Sequence, residues 1–241
     1  MGRILEAVVA AVNVPVTVKI RTGIDRAHIN AVEISRVAAL AGVRAIAVHG
    51  RTRADFYEGD AEYETIREVA RDARIPVLAN GDIDSAKKAE KVLEFTHAAG
   101  VMIGRGAHGS PWIFREVNAF LERGEIPAPL LREEIRNIIL EHLTALYTFH
   151  GEGAGVRIAR KHLGWYCQQN NDTASFRPEL MAAETSSVQF EKVAARFGEW
   201  ALSDGSQENN KGTNGSCRDA RDDPEEHDAS TSAQDRIAPC Q

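Results

Sequence analysis

The sequence predicts an α/β fold: four βα units, half of an eight-stranded βα barrel, followed by a small all-α domain and a disordered tail. Three observations point there. Short β-branched apolar runs recur at near-equal intervals through the first hundred residues. Each of the first three leads into a stretch of helical spacing, the alternation expected of parallel βα units. From residue 132 onward the helical spacing continues and no strand signal returns.

In chain order, residues 1–6 (Met-Gly-Arg-Ile-Leu-Glu) go straight into helical pattern and lack a signal-peptide core. The strand runs are Val14 to Ile20, Ala45 to His49, Ile75 to Asn80 and Val101 to Gly104. Each is apolar on both faces, the pattern of a strand buried between two layers. Helical stretches fall between them, at Ile29 to Ala41, Tyr63 to Ala73 and Ser85 to Phe95. Asp84 or Ser85 suits the N-cap of the last, and Gly42 suits the end of the first. Pro127-Ala128-Pro129 reads as a linker, after which Ile135, Ile138, Ile139, His142, Leu143 and Leu146 keep helical spacing. The expected domains are 1–131, 132–202 and a tail at 203–241.

Composition narrows the function. With 43% hydrophobic and 27% charged residues the chain suits a soluble globular protein. A net charge of −6 excludes a broadly basic coat for nucleic acid but not a local basic face. The tail holds nine Asp and Glu against four Lys and Arg and no aromatic residue, so the rest of the chain is nearly neutral. Such a segment buries too little apolar surface to offset its ordering entropy, and it reads as disordered. No apolar run approaches the roughly 18 residues of a membrane span. Cys167, Cys217 and Cys240 form neither a disulfide framework nor a metal motif, so a reducing cytoplasm is expected and no metal is assigned.

Parallel α/β proteins gather their chemistry at the C-terminal strand ends. Here those ends are polar: Lys19-Ile20-Arg21-Thr22-Gly23, His49-Gly50-Arg51-Thr52-Arg53, Asn80-Gly81-Asp82 and Gly104-Arg105-Gly106. Singly each is weak. A lone Lys reads as a rim charge, a lone His as a core residue, and Asn-Gly-Asp as a turn. Together they ring one mouth, where glycines let backbone N–H groups approach an anion and Arg adds a charged fork. A phosphorylated ligand with a polar ring fits, with Lys19 and His49 at one end and the last two strands at the other. In 155–168, Arg157, Arg160 and Lys161 fall at i, i+3 and i+4, with Trp165 and Tyr166 close behind. That stripe suits phosphate contacts and base stacking, or else is a solvated face with Trp165 packed in the bundle.

These stretches, with Met102-Ile103-Gly104-Arg105-Gly106-Ala107, Pro111-Trp112-Ile113-Phe114 and Arg157-Ile158-Ala159-Arg160-Lys161-His162, resemble the tRNA-dihydrouridine synthase family, its bacterial B-type members most closely. The resemblance covers roughly residues 1–200 and implies the C-terminal half of a (β/α)8 TIM barrel that binds FMN, then a helical tRNA-binding domain. It implies that NADPH reduces the flavin and that a hydride passes to C6 of a uridine in tRNA. By position it places Lys19 at the pyrimidine end of the flavin and His49 near the cofactor. It places Asn80, Gly81, Asp82, Gly104 and Arg105 at the ribityl phosphate region, and Arg157, Arg160 and Lys161 on RNA.

The family's first four strands, and its Asn-x-Gly-Cys-Pro loop with the acid cysteine, have no counterpart in the resembling stretches. No catalytic residue is therefore assigned, and this chain alone is expected not to complete the reduction. Unpaired edges of the half barrel are expected to drive self-association. The competing readings are a non-catalytic RNA-binding remnant of such an enzyme and a different phosphate-binding βα-barrel enzyme.

Overall fold

The computed structural model describes residues 1–203. The tail expected at 203–241, with Cys217 and Cys240, lies outside the described residues save for Ser203. Four strands, β1 (Thr17–Arg21), β2 (Ala45–His49), β3 (Val77–Asn80) and β4 (Gly100–Met102), form one parallel sheet in the order β1-β2-β3-β4. Helix α1 (Gly2–Ala11) precedes the sheet, and α2 (Ala31–Leu40), α3 (Glu64–Asp72) and α4 (Ala86–Thr96) are its crossovers. A short turn of 3₁₀ helix at Arg105–Ala107 and helix α5 (Ile113–Arg123) follow β4. Beyond residue 131 the regular structure is helical: α6 (Arg132–His150), α7 (Glu152–Gln169), a 3₁₀ turn at Asn171–Phe176, α8 (Arg177–Met181) and α9 (Ser186–Ser203).

Two strands start later than the apolar runs suggest. Pro15 and Pro76 have no N–H to give a ladder, so pairing begins at Thr17 and Val77. Boundary residues behave as their chemistry requires. Gly42 takes φ +90° after α2, where a side chain would be strained. The Ser85 hydroxyl accepts the Lys88 N–H at 3.3 Å and caps α4. At the start of α6, Glu134 accepts the Leu131 N–H at 2.8 Å.

The sheet does not bury both faces under apolar layers as expected. Helices α2 to α5 pack on one face, against Ile46, Val48, Val77 and Ala79, with Val18, Ile20, Val101 and Ile103 partly buried beside them. Side chains alternate along a strand, so the other face carries Lys19, Arg21, Ala47, His49, Leu78, Asn80 and Met102. That face mixes apolar and polar groups, and Lys19, His49 and Asn80, three of the expected site residues, are among its polar members. Alternation was present in the sequence but masked by alanines, which fit either face.

A second apolar cluster holds the helical region together. Ile135, Ile139 and Leu143 line one stripe of α6 and meet Ala159, Leu163, Tyr166 and Cys167 of α7, Leu180 of α8, and Val193, Phe197 and Trp200 of α9. Trp112, just before α5, packs against the same cluster.

Candidate functional site

Register assembles the strand ends. Arg21 pairs with His49, His49 with Asn80, and Asn80 with Met102, so these four form one row across the sheet. Lys19 lies two residues back on β1 and shares their face. The structure therefore places Lys19, His49 and Asn80 on one face of the sheet, in three neighbouring strands.

Their environments differ. His49 is 7% exposed, and burial together with the charges of Lys19, Arg21 and Arg51 pushes its pKa down to about 4, against a smaller pull from Asp82. Its imidazole is therefore neutral at pH 7. Partial burial and then Arg21 lower the pKa of Lys19. No carboxylate among the described residues pairs with that ammonium. Asn80 is spent otherwise: its amide donates to the Met102 carbonyl at 2.7 Å and ties β3 to β4. Thr22, at the end of β1, buries a hydroxyl with no partner among the described residues.

Gly81 and Asp82 form a strained turn. Gly81 sits at φ +130°, where an added Cβ would lie 2.6 Å from the Ala61 Cβ. Asp82 takes φ +46°. Its carboxylate accepts both terminal nitrogens of Arg51, at 2.9 and 2.6 Å, and the Ala61 N–H at 2.8 Å. Arg105 approaches the same carboxylate at 3.5 Å. Burial raises the Asp82 pKa, but the bonds from Arg51 and Ala61 and the arginine charges outweigh it, and the net shift is downward. Asp82 is thus an anion held between cations; its oxygens are occupied by the protein.

Arg51, part of the polar strand end after β2, was not among the site residues expected from the sequence. It is 4% exposed and also donates to the carbonyls of Glu58 and Gly59, at 3.2 and 2.5 Å, fastening the loop after β2 to the turn after β3. Its place at a strand end was the available signal. Tyr57 was missed as well. This exposed ring lies between two guanidiniums, with Arg105 4.4 Å and Arg21 5.4 Å from its centroid. Nothing in the sequence singles it out, because the contact joins opposite ends of the sheet.

Gly104 has open space where a Cβ would stand, whereas Gly106 is pressed against the Ile83 carbonyl, 2.3 Å from such a Cβ. Between this turn and the one at Asp82 runs a cleft of about 870 Å³, lined in part by Ser85, Arg105, Ser110 and Gln169. Free backbone at Gly104 beside Arg105, and the Lys19 ammonium with no carboxylate partner among the described residues, suit an anionic ligand with a polar ring.

The three cations of α7 divide. Arg157 and Lys161 are exposed and flank one shallow groove with Ile158 and His162. Arg160 turns inward, where its Nη2 donates to the Ala183 carbonyl at 2.8 Å and its Nε is buried. Tyr166 is buried, with its hydroxyl 3.1 Å from His142 Nδ1, and one face of Trp165 is covered by His108. Cys167 lies in the helical core, where burial raises its thiol pKa. Among the described residues no cluster of three or more His, Cys, Asp or Glu side chains is placed to hold a metal, and no helix is long and apolar enough to cross a membrane.

Comparison with known proteins gives one consistent result. The family model described as dihydrouridine synthase (Dus) matches residues 1–200. The tRNA-dihydrouridine synthase B of Pseudomonas putida is 52% identical over 200 residues, spanning 83% of this chain and 59% of that protein. That of Shewanella oneidensis is 51% identical over 196 residues, 81% of this chain and 61% of its own length. The Xanthomonas axonopodis pv. citri protein is 53% identical over 189 residues, 78% and 57% respectively. The chain thus spans about 60% of the length of the curated relatives it matches. A solved mandelate oxidase mutant aligns over 80% of this chain and 61% of its own at 16% identity, with a TM-score of 0.31 that carries no argument.

Proposed function

Because the chain belongs to the dihydrouridine synthase family, we propose that it takes part in the flavin-dependent reduction of uridine to 5,6-dihydrouridine in tRNA, with FMN as cofactor and NADPH as reductant. Residues 1–131 are then a flavin-binding domain and 132–202 a tRNA-binding one, working in the cytoplasm, where Cys167 stays a free thiol. The family match over residues 1–200 carries this reading, and the shared face of Lys19, His49 and Asn80 supports it.

Bound flavin supplies the hydride that uridine accepts at C6. Around it, Lys19 offers a cation with no counter-ion among the described residues to the electron-rich pyrimidine edge. His49, held neutral, presents a ring nitrogen without adding charge. Gly104 offers open backbone to the phosphate and Arg105 adds its fork, while Gly81 lets the turn after β3 pass close to Ala61 and His49. Asn80 and Asp82 act one step back: the first locks β3 to β4, the second holds Arg51 and draws Arg105 toward the turn. No described side chain is assigned the acid that protonates C5. On α7, Arg157 and Lys161 face the RNA, and Arg160 anchors the helix to the Ala183 carbonyl. Strands β1 and β4 each pair on one side only among the described residues, and we extend the proposal to self-association through these edges.

Titrating the purified chain with FMN tests the cofactor assignment. Saturable quenching of flavin fluorescence is expected, with Lys19→Ala and Arg105→Ala each weakening it about tenfold, the size of one charged contact. Absence of saturable binding by the unaltered chain would reject the reading.

A further inference from the structure

The loop after β4 is held on two sides: Gly106 and Arg105 meet the turn after β3 at Ile83 and Asp82, and the far end of the loop meets the helical region. Its own backbone bonds are local: Ala107 N–H to Gly104, His108 N–H to Arg105 and Ser110 N–H to Ala107. At its far end the loop meets α7. The His108 ring lies flat on Trp165, centroids 3.6 Å apart and planes 9° from parallel. Lys161 Nζ stands 5.2 Å from the same indole, and His162 meets its edge at 5.1 Å. One residue on, Gly109 turns at φ +70° so close to α7 that a Cβ would lie 2.3 Å from the Trp165 carbonyl oxygen. One turn further along α7, Gln169 lines the cleft beside Arg105 and Ser110.

We propose that Trp165 is a positioning residue: through His108 and Gly109 it holds the Gly104–Arg105 turn in place, so that the helical region sets the grip on a bound phosphate. The inference rests on the flavin reading above. Its physical basis is entropic. A loop with glycines at 104, 106 and 109 has many conformations to lose on binding. A flat stack at its far end removes part of that freedom beforehand, which lowers the ordering cost that a ligand must overcome. The same helix carries Arg157 and Lys161, so one rigid element spans from the exposed cations to the cleft.

A double-mutant cycle read by FMN affinity tests it. Trp165→Leu and His108→Ala are each expected to raise the Kd about tenfold, Trp165→Phe to stay within about twofold, and the double variant to be no weaker than the weaker single one. Thermal unfolding of each variant separates lost grip from lost fold, and His108→Ala, in a half-buried loop, carries the test by itself if Trp165→Leu does not fold. Unchanged Kd in both single variants, or fully additive effects, would overturn the positioning role. Failure of the unaltered chain to bind FMN would instead reject the flavin reading, and the positioning role with it.

Discussion

At the scale of single residues, Asp82 is held in a left-handed backbone conformation that costs a non-glycine residue on the order of 1–3 kcal/mol, and what holds it is Arg51. The guanidinium is buried and has the Asp82 carboxylate as its counter-charge. Removing that charge leaves a desolvated cation. Asp82→Asn, which keeps the shape, is expected to lower stability by about 2–3 kcal/mol, read as a shift of the urea midpoint; an unmoved midpoint would mean the pair is idle. His49 and His162 both have pKa values pushed down to about 4, His49 by burial and then Lys19, Arg21 and Arg51, His162 by burial and then His142, His108 and Lys161. A base with its folded pKa below the unfolded value of about 6.5 binds fewer protons folded than unfolded. Its contribution is full above that unfolded value and is lost as pH falls from there toward 4. The urea midpoint should therefore drop across that window, and His162→Gln should flatten the drop; an equal drop in that variant would contradict the assignment.

At the scale of elements, α7 shows why a periodic pattern is only half of an argument. Spacing put Arg157, Arg160 and Lys161 on one side of a helix, and they do share a broad side. A helix face, though, spans both exposed and covered directions, and the 182–185 connection lies over Arg160. Which cation faces water depends on where α8 and α9 pack, information that α7 itself does not contain. Replacing Arg157 and Lys161 together with Ala should weaken tRNA binding and reduce its salt slope by about two phosphate contacts, whereas Arg160→Ala should act mainly on thermal stability. Filter binding across a salt series decides this, and a full loss of slope from Arg160→Ala alone would reverse the roles. The βα units read more simply. Four apolar runs, three helical stretches and the caps at Gly42 and Ser85 were legible because each depends on local spacing and local backbone demands.

At the scale of the whole molecule, the sheet has paired strands inside and two strands with one open side among the described residues. Helix α1 adds an exposed apolar row at Ile4 and Val8, continued by Val12 just past its end. Sedimentation velocity should show the isolated chain associating as its concentration rises; a concentration-independent monomer peak would refute self-association through these edges.

By itself the sequence determined the order of elements, the polar character of the four strand ends and the family. Those follow from periodicity, turn chemistry and motifs, all readable along one dimension. The structure alone decided that Arg51 closes on Asp82, that Asn80 is spent on β4, that Tyr57 lies between Arg21 and Arg105, and that Trp165 meets His108. Each of these joins residues far apart in the chain, and which partners meet is set by packing geometry rather than by neighbouring sequence.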